Sequence, residues 1–431
     1  MTFRPRLHDL GQDMNTKTFF FIGMISTVII VSSAAVIYLH FLQGNGHTIR
    51  VGILHSQTGP VALSELPIVD ATMLAIDELN AAGGLLGKYI EPILGDGASD
   101  AATFAAQAEK LIAKDQVAVI FGCWTSASRK MVKPIVEKYN HLLFYPLPFE
   151  GLESSPNIVY TGAVPNQEMF PGVTWAYINL GKSFYLVGSD YVGPRVVNEL
   201  IKMHVQLLGG TIAGEAYQPL NGAVFKQIVQ DIVKTQPKVI VNTVSGKNNI
   251  AFFKELRSAG ITPEKIPTIS FSIAEEELKI LSIKDMVGDY AGWSYFQSIE
   301  RPENAKFVQN FKRKYGEERV VSAALEAAYF GVHLWAQAVK SAGTIDLSAV
   351  RRLVKIQGMN APEGIVTIDA NNNHTWKLAR VGQITPAGQF KVVWSSGNAV
   401  CPIPFPFQDK QDWAAFLDRL YKGWGNQWAA E

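Results

Sequence analysis

Short apolar runs and amphipathic stretches alternate along most of this chain. Arg50–Leu54, Ile90–Leu94, Val117–Phe121, Leu142–Tyr145, Ser183–Val187, Val239–Asn242 and Thr268–Phe271 read as strands, and helical spacing follows them repeatedly. The spacing predicts a helix over Ile68–Ala81, with Ala71, Leu74, Ala75 and Leu79 on one face, ended at Ala82–Gly84. The most informative unit runs from Val117 to Tyr145. A strand breaks at Gly122, turns through Trp124-Thr125-Ser126-Ala127-Ser128, and becomes a helix with Met131, Val132, Ile135 and Val136 on one face. A second strand then ends in Pro146-Leu147-Pro148. A hydroxyl-rich turn at a helix N-terminus offers backbone N–H groups and side-chain hydroxyls to a ligand oxygen.

Regular strand–helix alternation argues for an α/β fold of parallel sheets covered by helices on both faces. In such sheets ligands bind beyond the carboxyl ends of the strands. The turns at Ser56, Ser126, Tyr145, Tyr191, Ser245 and Ser272 all fall at those ends. The C-terminal part differs: Cys401–Phe407 is extended and punctuated by proline, and a tryptophan-rich helix is expected over Asp412–Trp424. That segment reads as a strap packed on a domain surface, with a partner-docking tail as the alternative.

At 431 residues the chain has room for two domains. With 39 basic against 38 acidic residues and no basic run, nothing points to nucleic acid. Cys123 and Cys401 are far apart and make no metal-ligand spacing. They read either as a disulfide or as one buried thiol and one tail thiol. No G-x-S-x-G elbow, H-E-x-x-H or Walker A motif is present, and the histidines show no metal spacing, so no catalytic role and no cofactor are expected.

Residues 18–42 form an apolar stretch of about 24 residues, roughly 36 Å as a helix, which is long enough to span a bilayer. Arg4, Arg6 and Lys17 precede it, so residues 1–17 are expected in the cytoplasm and everything from about residue 48 outside. The span reads as an uncleaved transmembrane anchor; cleavage after Ser33–Ala35 is the alternative.

Ten segments stand in order between residues 51 and 369: VGILHSQTG, DATMLAIDELNAAGGLLGKYIEPILGDGASD, FGCWTSASRK, LLFYPLPFEG, NIVYTGAVPNQ, LVGSDYVGPR, SFSIAEEE, SYFQSIERPEN, LEAAY and APEGIVTID. Together they resemble the substrate-binding protein of the urea ABC transporter, and the related amide-sensing regulator of short-chain amidase operons. The resemblance implies the type I periplasmic-binding-protein fold, two Rossmann-like lobes joined by three crossover strands. Lobe one would hold residues 48–163 and 295–366, lobe two 166–292 and 370–396, with a C-terminal strap over 397–431. It also implies capture of urea or a short-chain amide and delivery to ABC permease and ATPase subunits. A membrane-anchored ligand sensor and a branched-chain amino-acid binder are the alternatives within the same fold.

Such ligands need donors for a carbonyl oxygen, acceptors for N–H groups, and apolar walls. By the resemblance Ser126 contacts the ligand and Trp124, Tyr145 and Tyr191 wall it; an N-cap and plain core packing are their structural alternatives. Thr125, Ser56, Ser245 and Ser272 stand at strand ends as further candidates. Glu65 is the one acid weighed as an acceptor for ligand N–H groups. Glu275–Glu277 read as acids favoured by a helix N-terminus. Leu147, Phe149 and Gly193 replace a threonine, a tyrosine and an aromatic residue of the resembled proteins.

Overall fold

In the computed structural model, residues 48–430 are described, apart from Pro60, Asn221, Ala223, Leu281 and Ser282. The expected anchor at 18–42 therefore lies outside the described residues. Among the described residues no helix is long and apolar enough to cross a membrane.

The apolar runs become parallel strands because each returns through a helix, and a crossover of that kind brings the next strand back in the same direction. The first sheet takes β1 (Thr48–His55), β2 (Tyr89–Asp96), β3 (Ile120–Gly122), β4 (Leu143–Tyr145) and β5 (Ile158–Tyr160), in the order β2-β1-β3-β4-β5. Its crossovers include α1 (Ala62–Ala81), α2 (Ala101–Ala113) and α3 (Ser126–Lys138). Helix α1 starts six residues earlier than the Ile68 expected from spacing; Pro67 lies inside it and does not end it.

The chain then passes to a second sheet through α4 (Met169–Asn179). Strands β6 (Ser183–Ser189), β7 (Thr211–Gln218), β8 (Val239–Thr243), β9 (Thr268–Ser270) and β10 (Tyr290–Trp293) alternate there with α5 (Val192–Leu207), α6 (Lys226–Thr235), α7 (Asn248–Ser258) and the short α8 (Glu275–Ile280). After β10 it returns to the first sheet with α9 (Pro302–Tyr315), α10 (Ala323–Ala342) and α11 (Leu347–Val354). Helix α10 packs on α1, β3 and β4, and Trp335 meets Phe121 edge-on at 5.8 Å. A small antiparallel sheet follows, β11 (Gly358–Ala361), β12 (Gly364–Ile368) and β13 (Thr375–Trp376). The chain then joins the second sheet again as β14 (Arg380–Ile384) and β15 (Phe390–Ser395), giving the order β15-β14-β10-β9-β8-β6-β7. Strands β6 and β8 are buried over nearly their whole length, as expected of strands covered on both faces.

The three passages between the sheets meet at one buried charge cluster. Lys377 follows β13, and its Nζ stands 2.7 Å from Glu363 Oε2 and 3.9 Å from Glu326 Oε2. It also donates to the Thr161 carbonyl at 3.2 Å. Arg380 donates to the Ser294 carbonyl and, at 2.6 Å, to that of Glu363. Glu168 accepts the Ser294 N–H at 2.9 Å. Burial pushes the Glu168 carboxyl up to about 7, even with Lys377 nearby.

Residues after β15 first lie against the passages between the sheets, where Asn166 donates to the Cys401 carbonyl at 2.7 Å. Leu152 N–H donates to the Pro404 carbonyl at 2.7 Å, and the Trp413 indole donates to the Pro406 carbonyl at 2.9 Å. Helix α12 (Lys410–Gly423) buries Trp413 against the second lobe's core. The chain end then returns toward the cleft, where Val192 N–H donates to the Trp428 carbonyl at 2.9 Å. Both cysteines are free thiols, Cys123 buried and Cys401 exposed.

Candidate functional site

Local geometry at the end of β3 sets the site. Gly122 is required there, because a Cβ would lie 2.2 Å from the Leu54 carbonyl oxygen. Cys123 follows with φ +68°, a left-handed conformation uncommon for a side chain of its kind, and swings the chain off the sheet. Thr125 is the N-cap of α3, its hydroxyl accepting the Ser128 N–H at 3.0 Å. Ser126 is therefore the first helical residue and its side chain is free for other work.

That work is internal. The Ser126 hydroxyl donates to Glu150 Oε2 and accepts from Arg129 Nη1 at 3.3 Å. Arg129 lies one turn along the same face of α3 and is fully buried. Its Nη2 donates to Glu150 Oε1 and its Nε to Glu153 Oε1, both at 3.0 Å. The guanidinium also stacks 4.2 Å from the Phe149 ring centre and 4.8 Å from that of Tyr145. Burial alone would raise the Glu153 carboxyl, yet Arg129 and Lys130 beside it hold it at about 2. The Tyr145 hydroxyl donates to the Trp124 carbonyl at 3.0 Å and closes the turn.

A cavity of about 190 Å³ opens between the carboxyl ends of the two sheets. Trp124, Thr125, Ser126 and Tyr145 line it from the first lobe, and Tyr191, Ser245 and Ser272 from the second. Tyr191 and Ser245 hold each other, hydroxyl to hydroxyl, at 3.2 Å. Seven of the nine residues singled out from sequence thus share one cavity.

Ser56 and Glu65 do not line it. Glu65 is buried, its Oε2 accepting the Ser56 N–H at 2.9 Å and standing 3.0 Å from His55 Nδ1. The Ser56 hydroxyl accepts the Ser99 N–H at 2.9 Å. Glu65 ties the loop after β1 to α1 and the Ser56 hydroxyl ties it to the segment after β2, because a buried carboxylate and hydroxyl must be satisfied where they sit. The Ser126 hydroxyl, which its sequence position offers to a ligand oxygen, lines the cavity and gives its single proton to Glu150 in this structure.

Three lining carboxylates were not expected there: Glu150, Glu276 and Glu277. The acidic run at the start of α8 does not merely face solvent at a helix end. Glu275 points inward and accepts the Gln297 N–H at 2.7 Å, and Glu277 accepts the Ala274 N–H at 3.0 Å. Glu276 Oε1 is buried with no hydrogen-bond partner among the described residues. Burial, and next the charge of Glu277, push the Glu276 carboxyl up to about 8. No lysine, arginine or histidine lines the cavity among the described residues. The available signal for Glu150 was its place inside the apolar LLFYPLPFEG segment, where a buried acid demands a cation such as Arg129.

Comparison with known proteins agrees with this architecture. The periplasmic binding protein domain family matches residues 49–411. The Leu/Ile/Val-binding protein homolog 6 of Brucella melitensis is 24% identical over 357 residues, covering 80% of this chain and 90% of that protein. The limonene hydroxylase of Geobacillus stearothermophilus is 35% identical over 121 residues; this chain spans 22% of that protein's length. Among solved structures, an R. palustris ABC transporter solute binding protein in complex with 4-hydroxybenzoate superposes with TM-score 0.74 at 23% identity, covering 85% of this chain and 99% of that one. A branched-chain amino acid transporter substrate binding protein of Streptococcus pneumoniae, in complex with isoleucine, gives 0.71 at 21% identity, covering 82% and 100%. The chain is not an enzyme. It belongs to the periplasmic binding protein family and has the two-lobed type I fold.

Proposed function

We propose that this chain is the extracytoplasmic solute-binding component of an ABC transporter and captures urea or a short-chain amide between its lobes. In this reading residues 18–42 tether it to the membrane and the loaded lobes dock on a permease. The observation that carries the ligand class is the chemistry of the cavity: among the described residues it has aromatic walls, hydroxyls, three carboxylates and no basic side chain. Such a lining accepts N–H groups and offers no charged partner to a ligand carboxylate. At about 190 Å³ the cavity lies below the range of about 300–1,000 Å³ for sites that take drug-sized molecules.

The second reading, a branched-chain amino acid, is favoured by the Leu/Ile/Val-binding relatives and by Glu276 and Glu277, which could receive an ammonium group. Calorimetry separates the two. The full chain titrated with urea, acetamide, leucine and 4-hydroxybenzoate is expected to bind the first two. Urea has four heavy atoms, so a ceiling of about 1.5 kcal/mol per atom limits it to roughly 6 kcal/mol, or tens of micromolar. Heat from leucine alone would transfer the assignment to the amino acid.

A further inference from the structure

A buried carboxylate oxygen without a donor is costly, because it has lost water and gained nothing in exchange. Glu276 Oε1 is in that position, on a residue that lines the cavity. Its surroundings make the deficit worse. Glu275 and Glu277 stand beside it on α8, and Glu275 Oε2 is likewise buried without a partner among the described residues. Tyr295 approaches from the passage after β10 and brings no positive charge. Ser322 and Arg319 approach from the segment before α10. The Arg319 guanidinium is already engaged with Asp70 Oδ2 at 2.8 Å and is partly exposed, so it neutralises little of this acidity. The first-lobe side adds Glu150, whose own cation, Arg129, is shared with Glu153.

Among the described residues no side chain supplies both a positive charge and the missing N–H, which leaves both to a guest. Taking as given that the cavity holds a small planar N–H-bearing molecule, we propose that it also captures the cationic counterpart of urea, a guanidinium or amidinium group, with Glu276 as its charge partner. A guanidinium places N–H donors around a flat positive centre and suits aromatic walls such as Trp124, Tyr145 and Tyr191. A quaternary ammonium would satisfy the charge and leave Glu276 Oε1 without a donor, so it fits less well. The acid also serves both guests differently. Protonated, it can donate to a urea oxygen; ionised, it pairs with the cation.

This exchange makes the two ligands respond oppositely to pH. With its carboxyl near 8, Glu276 holds a proton at neutral pH while the cavity is empty. A neutral guest leaves that proton in place, whereas a cation expels it. Guanidinium keeps its charge throughout this range. Its affinity should therefore tighten about tenfold per pH unit on rising toward pH 8 and then level off, with close to one proton released near pH 7. Urea affinity should change by less than about threefold over the same interval.

The experiment is calorimetry of the full chain with guanidinium chloride and with urea between about pH 6 and pH 9, in buffers of different ionisation heat. Glu276→Gln should flatten the guanidinium pH profile, abolish the proton release and weaken that ligand about tenfold or more at pH 8. Guanidinium affinity that ignores pH, or that survives Glu276→Gln, overturns the proposal. Binding of urea without guanidinium defeats this inference alone, and binding of neither defeats the reading on which it rests. The wild-type pH series needs no variant, so poor folding of Glu276→Gln would not blunt the test.

Discussion

Replacing Arg129 by methionine is expected to destabilise the chain by about 3–5 kcal/mol and to abolish ligand binding. The change leaves Glu150 and Glu153 buried and facing each other across an apolar side chain, and deprives the Ser126 hydroxyl of one partner. It also removes the stack on Phe149 and Tyr145, which seats the aromatic wall of the cavity. The pH dependence gives an independent check. Glu153 titrates at about 2 in the folded chain against 4.5 as its ordinary value. A depressed carboxyl stabilises the fold above the unfolded value and loses that contribution as pH falls toward about 2. The deficit of the variant should therefore be largest at neutral pH and shrink below about pH 4.5. Chemical denaturation at several pH values measures it; a loss under about 1 kcal/mol at neutral pH would show that Arg129 does not hold the site together.

The second large effect is expected where the lobes join. Lys377→Met removes the ammonium from a cluster in which Arg380 is the second cation and Glu326, Glu363 and Glu168 are the acids. Glu168 already sits at about 7 in the folded chain against 4.5. A carboxyl raised on folding favours the folded state below its unfolded value, and that advantage is lost as pH rises through the folded value. Burial raises Glu168 and Glu326 while Lys377 lowers both, so without the ammonium these two carboxyls rise further. Lys377→Met should then cost about 3–5 kcal/mol at pH near 8 and little near pH 4.5, where Glu168 and Glu326 hold their protons. Unfolding midpoints at the two pH values decide the matter. An equal loss at both would mean that packing against Phe330, 4.6 Å from the ammonium, matters more than charge.

The architecture was legible because buried parallel strands need continuous apolar runs, and β6, β8 and β9 begin at the residues where those runs begin. Helix starts were less so. Spacing placed the first helix after Pro67, yet α1 runs through that residue from Ala62. The site was half legible. Aromatic and hydroxyl residues at strand ends announce a cleft, and Trp124, Tyr145 and Tyr191 are found there. Charged residues mislead, since a lone sequence does not tell a solvated acid from a buried one. Glu65 looked available and is spent on His55 and Ser56, whereas Glu150, Glu276 and Glu277 looked ordinary and line the cavity. Arg129 could have been found: three residues beyond Ser126 on a helix it must share that face, and an arginine there needs acids.

The central claim is that a small N–H-bearing guest is enclosed between the lobes. A crystal structure of the chain grown with saturating urea tests this most directly. The expected result is ligand density between the Tyr145 and Tyr191 walls, with its nitrogens within hydrogen-bond reach of Glu150 or Glu276. An empty cavity, or urea bound only on the outer surface, would contradict it.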